Sequence, residues 1–224
     1  MIFISMYKKT LLEGIVKKIS KKIITERKTD ELSLALSRFV INQFKNKKDF
    51  ELQNIHFEKG DEYANFDFFC YFIEDKKMED PFSVRGSGDM QEIEIEITYN
   101  PDEFPKSMND LVAEVKETIE HELEHVEQQN FDDMYVKNDE EYDEEDEDYN
   151  FKYLTSNVEI PAYVRGLIKR SKTKKISLED AMDEWFDENK RKFKNPKKEW
   201  KKVKEVWLDY ANKMRTKERV KKFK

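Results

Sequence analysis

The spacing of hydrophobic positions along the chain changes from helical to strand-like and back again. Apolar residues recur every three to four positions over residues 8–25, which predicts a helix. A second helix is predicted to follow through Phe44, with Asp30 as its N-cap. The period then shortens to two: segments 52–57 and 64–73 are rich in aromatic and β-branched residues and are predicted to be strands. A turn at residues 59–61 would join them.

Residues 91–100 show the clearest alternation in the chain. Isoleucines at 93, 95 and 97 and Tyr99 alternate with charged residues, which predicts a half-buried strand. Because its other face is charged, the strand is compatible with a place at a sheet edge. Residues 82–90 contain two glycines and are predicted to form a loop.

The helical period returns at residue 107 and predicts a helix to about residue 130. Three more helices are predicted after the acidic run of residues 132–148, over about 158–170, 178–192 and 196–222. Ser177 is the expected N-cap of the second, and Asn195-Pro196 opens the third. That last helix carries an apolar stripe that must pack against another element: Trp200, Val203, Trp207, Tyr210 and Met214.

These elements predict an α+β protein, mostly helical, with a small mixed or antiparallel sheet next to the helix of residues 107–130. We divide the chain into basic helices over 1–50, a core over 51–170 with an acidic loop at 131–152, and basic helices over 171–224 that pack on the core. All three segments are expected to form one domain.

Composition and charge limit the classes of protein that fit. Charged residues make up 41% of the chain, yet 16 Phe, 10 Tyr and 3 Trp argue against a wholly disordered protein. The single cysteine, Cys70, rules out an internal disulfide framework, and no apolar run reaches 18 residues. We therefore expect a cytoplasmic protein with no membrane partner.

The charge is strongly segregated along the chain. Residues 1–50 hold 12 basic and 5 acidic side chains, residues 51–168 hold 9 and 34, and residues 169–224 hold 21 and 10. The basic ends could bind nucleic acid or an acidic partner, although solvated faces of Lys-rich helices are the simpler explanation. The acidic run 132–148 is expected to be a solvated loop, with a DNA-mimicking inhibitor as another interpretation.

Residues 121–125 read His-Glu-Leu-Glu-His within a predicted helix. Histidines at i and i+4 lie one turn apart on one face, so His121 and His125 can both reach one metal ion. Glu122 can then act as general base on water bound to that ion. The motif predicts a zinc site, whereas the alternative is a charged helix with two incidental histidines.

Together with the preceding strand, this motif resembles the zincin metallopeptidases over roughly residues 91–168. The resemblance implies a zinc-dependent enzyme that hydrolyses peptide bonds in a protein or peptide substrate, which pairs with an edge strand. Positions 126–131 lack the metzincin continuation. The Glu159-Ile-Pro-Ala162 segment is instead similar to the Glu-x-x-Ala segment of gluzincin-like enzymes, and this implies Glu159 as the third zinc ligand.

Other assignments of the third ligand remain open. Ser156 and Glu159 fit a capping box, in which Glu159 would only satisfy a backbone N–H. Asp132 and Asp133 lie just beyond the first helix and are rival carboxylates. His56, the remaining histidine, lies in a predicted strand.

Tyr163 lies one turn after Glu159 and could donate a hydrogen bond to an oxyanion, or it could simply pack at the helix edge. Gln128 and Tyr163 also match small phage-encoded proteins with H-E-L-x-H-x-x-Q followed by E-x-x-A-Y, which would imply association with a virion. A non-catalytic virion protein, or one that binds nucleic acid or a partner on a zincin-like scaffold, is the alternative function.

Overall fold

The computed structural model of the protein describes residues 28–59, 62–103, 108–131, 149–193 and 196–221. The helices in these ranges are α1 (Lys28–Phe44), α2 (Met108–Phe131), α3 (Tyr149–Leu154), α4 (Glu159–Lys174), α5 (Leu178–Asn189) and α6 (Pro196–Lys221). The strands are β1 (Phe50–Lys59), β2 (Glu62–Glu74), β3 (Phe82–Gly88) and β4 (Glu92–Tyr99). The predicted α+β class with a small sheet is confirmed.

The four strands form one mixed sheet in the order β1-β2-β4-β3. β1 and β2 are antiparallel, β2 and β4 are parallel, and β4 and β3 are antiparallel. Two predictions were wrong here. The alternating segment 91–100 contains an interior strand, because β4 pairs with β2 on one side and with β3 on the other. Residues 82–90 contain the edge strand β3, in which Phe82 and Val84 pack against the core.

One face of the sheet forms a hydrophobic core with α1 and α2. The alternating residues of β4 are fully buried there, as are Phe66 and Phe68 of β2. Helix α2 contributes one apolar face to the same core: Leu111, Val115, Ile119, Leu123 and Val126. The HELEH helix is thus fixed against the sheet by about four turns of buried side chains.

Helices α3 to α6 form a second hydrophobic cluster. The stripe predicted on α6 packs into it, with Trp200, Val203 and Trp207 buried and Tyr210 and Met214 packed around them. The Trp207 indole also donates a hydrogen bond to the Leu154 carbonyl at 2.8 Å. This bond attaches α6 to the short helix α3.

Several helix ends can be compared with the predictions. Ser177 caps α5 through a capping box with Asp180, as its position predicted for a cap. Helix α1 already begins at Lys28, so Asp30 lies inside it and is not its N-cap. Helix α3 begins inside the predicted acidic loop 131–152 and extends two residues beyond its predicted end. The predicted helix 8–25, the turn residues 60–61, the acidic run 132–148 and Asn195 lie outside the described residues.

Charged side chains are buried between α2 and α4. Arg170 contacts Glu117 at 3.0 Å, and Lys169 contacts Glu120 at 3.2 Å. A third pair joins Arg165 to Glu124 at 2.7 Å. Arg165, Lys169 and Arg170 of α4 thus cover these three glutamates of α2.

These pairs run in opposite directions along the two helices, so α2 and α4 are antiparallel. Gly166 allows them to approach closely, since a Cβ there would lie 2.9 Å from the Glu117 carbonyl oxygen. Among the described residues, no helix combines the length and the apolar character that crossing a membrane requires.

We expect Arg170→Ala to lower the free energy of unfolding by about 3–5 kcal/mol, because Glu117 would stay buried without its partner. Urea unfolding measures this change. Lys213→Ala is the control, since Lys213 and Asp209 form an exposed pair on α6 whose loss should cost less than about 0.5 kcal/mol. Equal losses in both variants would contradict the importance of the buried pair.

Candidate metal centre

Helices α2 and α4 bring three ligand-type atoms together. The Nε2 atoms of His121 and His125 are 3.0 Å apart. Glu159 Oε2 lies 3.4 Å from the first and 3.5 Å from the second. All three side chains are largely buried, with 14% of His121 and 9% of each of the others exposed.

The dimensions of this triangle suit a tetrahedral metal site. Ligand atoms about 2.0–2.1 Å from a zinc ion at tetrahedral angles are about 3.3 Å apart. Glu159 Oε2 is also buried, and no described group makes a hydrogen bond to it. An ion bound by these three side chains would supply that oxygen with a partner and would keep a fourth position open.

Glu122 lies beside this triangle. One ligand-type atom from each of His121, Glu122 and His125 falls within a 4.8 Å group, so Glu122 could itself be considered a ligand. The triangle with Glu159 has shorter edges that match tetrahedral coordination better. Glu159 therefore fits a tetrahedral ligand set with the two histidines better than Glu122 does, and Glu122 lies next to that set.

The start of α4 explains the direction of the Glu159 side chain. Ser156 Oγ accepts a hydrogen bond from the Glu159 N–H at 3.1 Å, which is the backbone half of the predicted capping box. The Glu159 carboxylate faces the histidines instead of completing the box. Pro161 falls in the first turn of α4, where its missing N–H leaves no intrahelical bond unmade.

Gln128 connects the two ligand-bearing helices. Its Oε1 lies 3.4 Å from His125 Nδ1, and its Nε2 donates to the Val158 carbonyl at 3.0 Å. If His125 Nδ1 carries the proton, Nε2 keeps the lone pair that a metal needs. Gln128 is buried, so it fixes both the ring of His125 and the residue that precedes Glu159.

Two tyrosines border the site. The Tyr153 hydroxyl hydrogen-bonds to the Glu159 carboxylate, and burial is the main reason that the pKa of Tyr153 is raised. The Tyr163 ring packs edge-on against His121, with centroids 4.6 Å apart, and stacks on Trp207 at 5.0 Å. The aromatic packing predicted as one role for Tyr163 is therefore present.

Burial and charge shift the pKa values of the site in different directions. Burial raises the pKa of Glu122, although both histidines oppose this shift. Burial also disfavours ionised Glu159, but the two nearby histidines outweigh it and lower its pKa to about 2. For His125, burial is outweighed by the Glu159 carboxylate, and the pKa is raised.

A cleft of about 660 Å³ gives access to these residues. Strand β3 forms one side of it, and side chains of α2, α3, α4 and α5 form the rest. One end is acidic, with Glu114, Glu117 and Glu188 near Arg170. Glu114 Oε1 accepts the Val84 N–H at 3.3 Å.

His56 lies apart from this site. His56 is on β1, at the opposite sheet edge from β3, and its Nδ1 is 3.1 Å from Asn65 Oδ1. Asp132 and Asp133 lie outside the described residues.

Basic side chains are exposed along the start of α6, and their role in binding a partner stays a prediction: Lys197, Lys198, Lys201 and Lys202.

Sequence reasoning did not find every residue of this site. Tyr153 was missed because α3 directly follows the acidic run and shows too short an apolar pattern. The glycines of β3 were interpreted as loop residues, although Phe82 and Val84 before them alternate as strand residues do.

Comparisons with models of known protein families, with characterised proteins and with solved structures found no match to this chain. The resemblance to zincins therefore rests on the motif and its surroundings alone.

We expect Gln128→Leu to weaken zinc binding about 10- to 100-fold, because the orientation of His125 and the start of α4 would both lose a hydrogen-bond partner. Competition with a chromogenic chelator measures the affinity. Gln53→Leu on β1 is the control, since Gln53 is exposed at the other sheet edge. Unchanged affinity in Gln128→Leu would show that Gln128 does not support the ligands.

Stability should fall as the pH rises from about 4.5 to about 8, because burial, with Glu117 and Glu188 nearby, raises the pKa of Glu114 to about 8. Between these values the folded chain binds this proton more tightly than the unfolded chain does. Glu114→Gln should therefore gain Tm relative to wild type at pH 9 and little at pH 4.5. Glu205→Gln, at an exposed α6 position, is the control. Parallel Tm profiles for wild type and Glu114→Gln would contradict this assignment.

Proposed function

We propose that the protein is a zinc-dependent metallopeptidase that hydrolyses peptide bonds in proteins or peptides. The carrying observation is the triangle of His121 Nε2, His125 Nε2 and Glu159 Oε2, with edges of 3.0, 3.4 and 3.5 Å. Its buried Glu159 oxygen has no hydrogen-bond partner among the described residues. The motif supports metal-assisted hydrolysis, and the resemblance to zincins supports proteins or peptides as the substrate class.

In this proposal His121, His125 and Glu159 hold the ion and Glu122 is the general base. Bound Zn²⁺ would supply Lewis acidity, lowering the pKa of water toward 7 and polarising the scissile carbonyl. Glu122 takes a proton from the attacking water and returns it to the leaving amine. Its raised pKa, which comes mainly from burial, suits a group that must both accept and release a proton.

The edge of β3 is the proposed binding surface for an extended substrate. The Val84 N–H points to Glu114, and the Asn100 N–H bonds to the Pro81 carbonyl. Residues 82, 84, 86 and 88 therefore direct their peptide groups away from β4. An added strand would pair with these groups beside Glu122.

Tyr163 keeps its proposed role as a hydrogen-bond donor to the oxyanion. It lines the cleft, and its ring contacts the ligand His121. Tyr153 lines the same cleft, but its hydroxyl is bonded to Glu159. Its proposed role is therefore to orient the ligand carboxylate.

A non-catalytic virion or partner-binding protein is the competing proposal, with nucleic acid or an acidic surface as the partner of its basic ends. A protein of that kind needs no general base at residue 122. A cytoplasmic location, or association with a virion, belongs to these proposals as well.

We expect wild type to bind one zinc per chain and to cleave unstructured polypeptides. His121→Ala and Glu159→Ala should lose zinc, because each removes one corner of the triangle. Glu122→Gln should keep zinc and lose cleavage by a factor of about 100 or more, because an amide cannot accept the proton. Elemental analysis gives the zinc content, and mass spectrometry of a peptide mixture gives the cleavage.

The matched control is His56→Ala, which removes the third histidine and should change neither quantity. Full cleavage by Glu122→Gln would contradict the proposal, as would wild type without zinc. Zinc retained by Glu159→Ala would move the third ligand to another carboxylate, with Asp132 and Asp133 the next to test. If deletion of residues 132–148 abolished function while His121→Ala kept it, the acidic-inhibitor interpretation would be favoured.

A further inference from the structure

Two glycines of β3 lie directly against the side chain of Glu122. A Cβ added to Gly86 would be 2.5 Å from Glu122 Oε1 and 2.8 Å from its Cγ. A Cβ added to Gly88 would be 3.0 Å from Glu122 Oε2. The carboxylate therefore occupies the space where side chains of β3 would otherwise stand.

The strand register explains this contact. Gly86 and Gly88 pair with Ile95 and Ile93, so they share the sheet face that packs on α2. At this edge of the sheet the glycines leave room for a glutamate in place of an apolar side chain. Glu122 is only 5% exposed.

The backbone of β3 restrains the Glu122 side chain by direct packing. Its charge interacts with His121, His125 and Glu159. The backbone of β3 thus determines how far the carboxylate can turn away from the triangle.

We propose that Gly86 and Gly88 are positioning residues that hold the general base Glu122 in its orientation toward the metal centre. This inference rests on the proposed function, since it assigns a part in that reaction to the edge strand. The same two residues direct peptide groups toward the edge offered to substrate. One short segment, Gly86-Ser87-Gly88, would therefore both support the general base and form part of the edge that binds substrate.

The proposal predicts graded effects for the two glycines. Gly86→Ala should lower kcat about 100-fold, because its methyl group would displace the carboxylate by an appreciable fraction of an ångström. Gly88→Ala should lower kcat less than about 10-fold, because its contact needs a shift of only a few tenths of an ångström. Zinc content should equal that of wild type in both. The control on the same strand is Ser83→Ala, whose side chain lies on the other sheet face.

A second substitution distinguishes displacement of the Glu122 carboxylate from a general change in the spacing between α2 and the sheet. The methyl group at residue 86 would also meet Thr118 Cγ2 at 2.6 Å. Thr118→Ser removes that carbon and leaves the contact with Glu122. We expect Gly86→Ala/Thr118→Ser to stay impaired in kcat. Recovery of kcat in this double variant would overturn the proposal.

A stability cycle tests the contact without any enzyme assay. In metal-free protein that carries Thr118→Ser, Gly86→Ala should lower Tm by about 5 °C. With Glu122→Ala added, the same change should lower Tm by less than about 2 °C, because the carboxylate no longer fills the space beside residue 86. Equal losses in the two backgrounds would overturn the proposal even if peptidase activity is found. Coupling in Tm without peptidase activity in wild type would instead refute the proposed function and leave the packing of Glu122 on the two glycines established.

Discussion

The antiparallel packing of α4 on α2 is the constraint on which the candidate site depends. Glu159 approaches the two histidines only because α4 is held in one register along α2. The buried pairs Arg170–Glu117, Lys169–Glu120 and Arg165–Glu124 fix that register. Sliding either helix by one turn would leave buried charges without partners, which is costly even where the pairs add little net stability. Gln128 adds a further contact between α2 and the start of α4, directly beside the site.

Periodicity was enough to predict the elements that carry long apolar faces. Helix α2, the stripe on α6 and the alternation in β4 follow directly from it. The i, i+4 histidines then placed candidate chemistry on a helix with a buried face. Glu159 could be proposed from a resemblance, because Glu-x-x-Ala is a local pattern. That it lies near the histidines depends on tertiary packing, which no local pattern encodes.

The parts that could not be predicted depend on contacts between elements, or belong to elements too short to show a period. By local pattern alone, three glutamates of α2 are typical of a solvated helix face: Glu117, Glu120 and Glu124. In the folded chain, basic side chains of α4 cover them. The glycines of β3 indicate a loop when taken alone, and their strand conformation follows from pairing with β4. Helix α3 has six residues, too few to show a period. For the glutamates, the deciding contacts join residues of α2 and α4 that the chain separates widely.

All three tryptophans of the chain lie in the helical cluster, and none lies in the sheet. Tyr163 links them to the site, because its ring stacks on Trp207, meets Trp185 at 5.1 Å and packs against His121. Indole emission responds to the polarity and the quenching groups around the ring. The protein therefore carries an intrinsic optical reporter one aromatic ring away from His121, and its fluorescence follows events at the histidines without an attached dye.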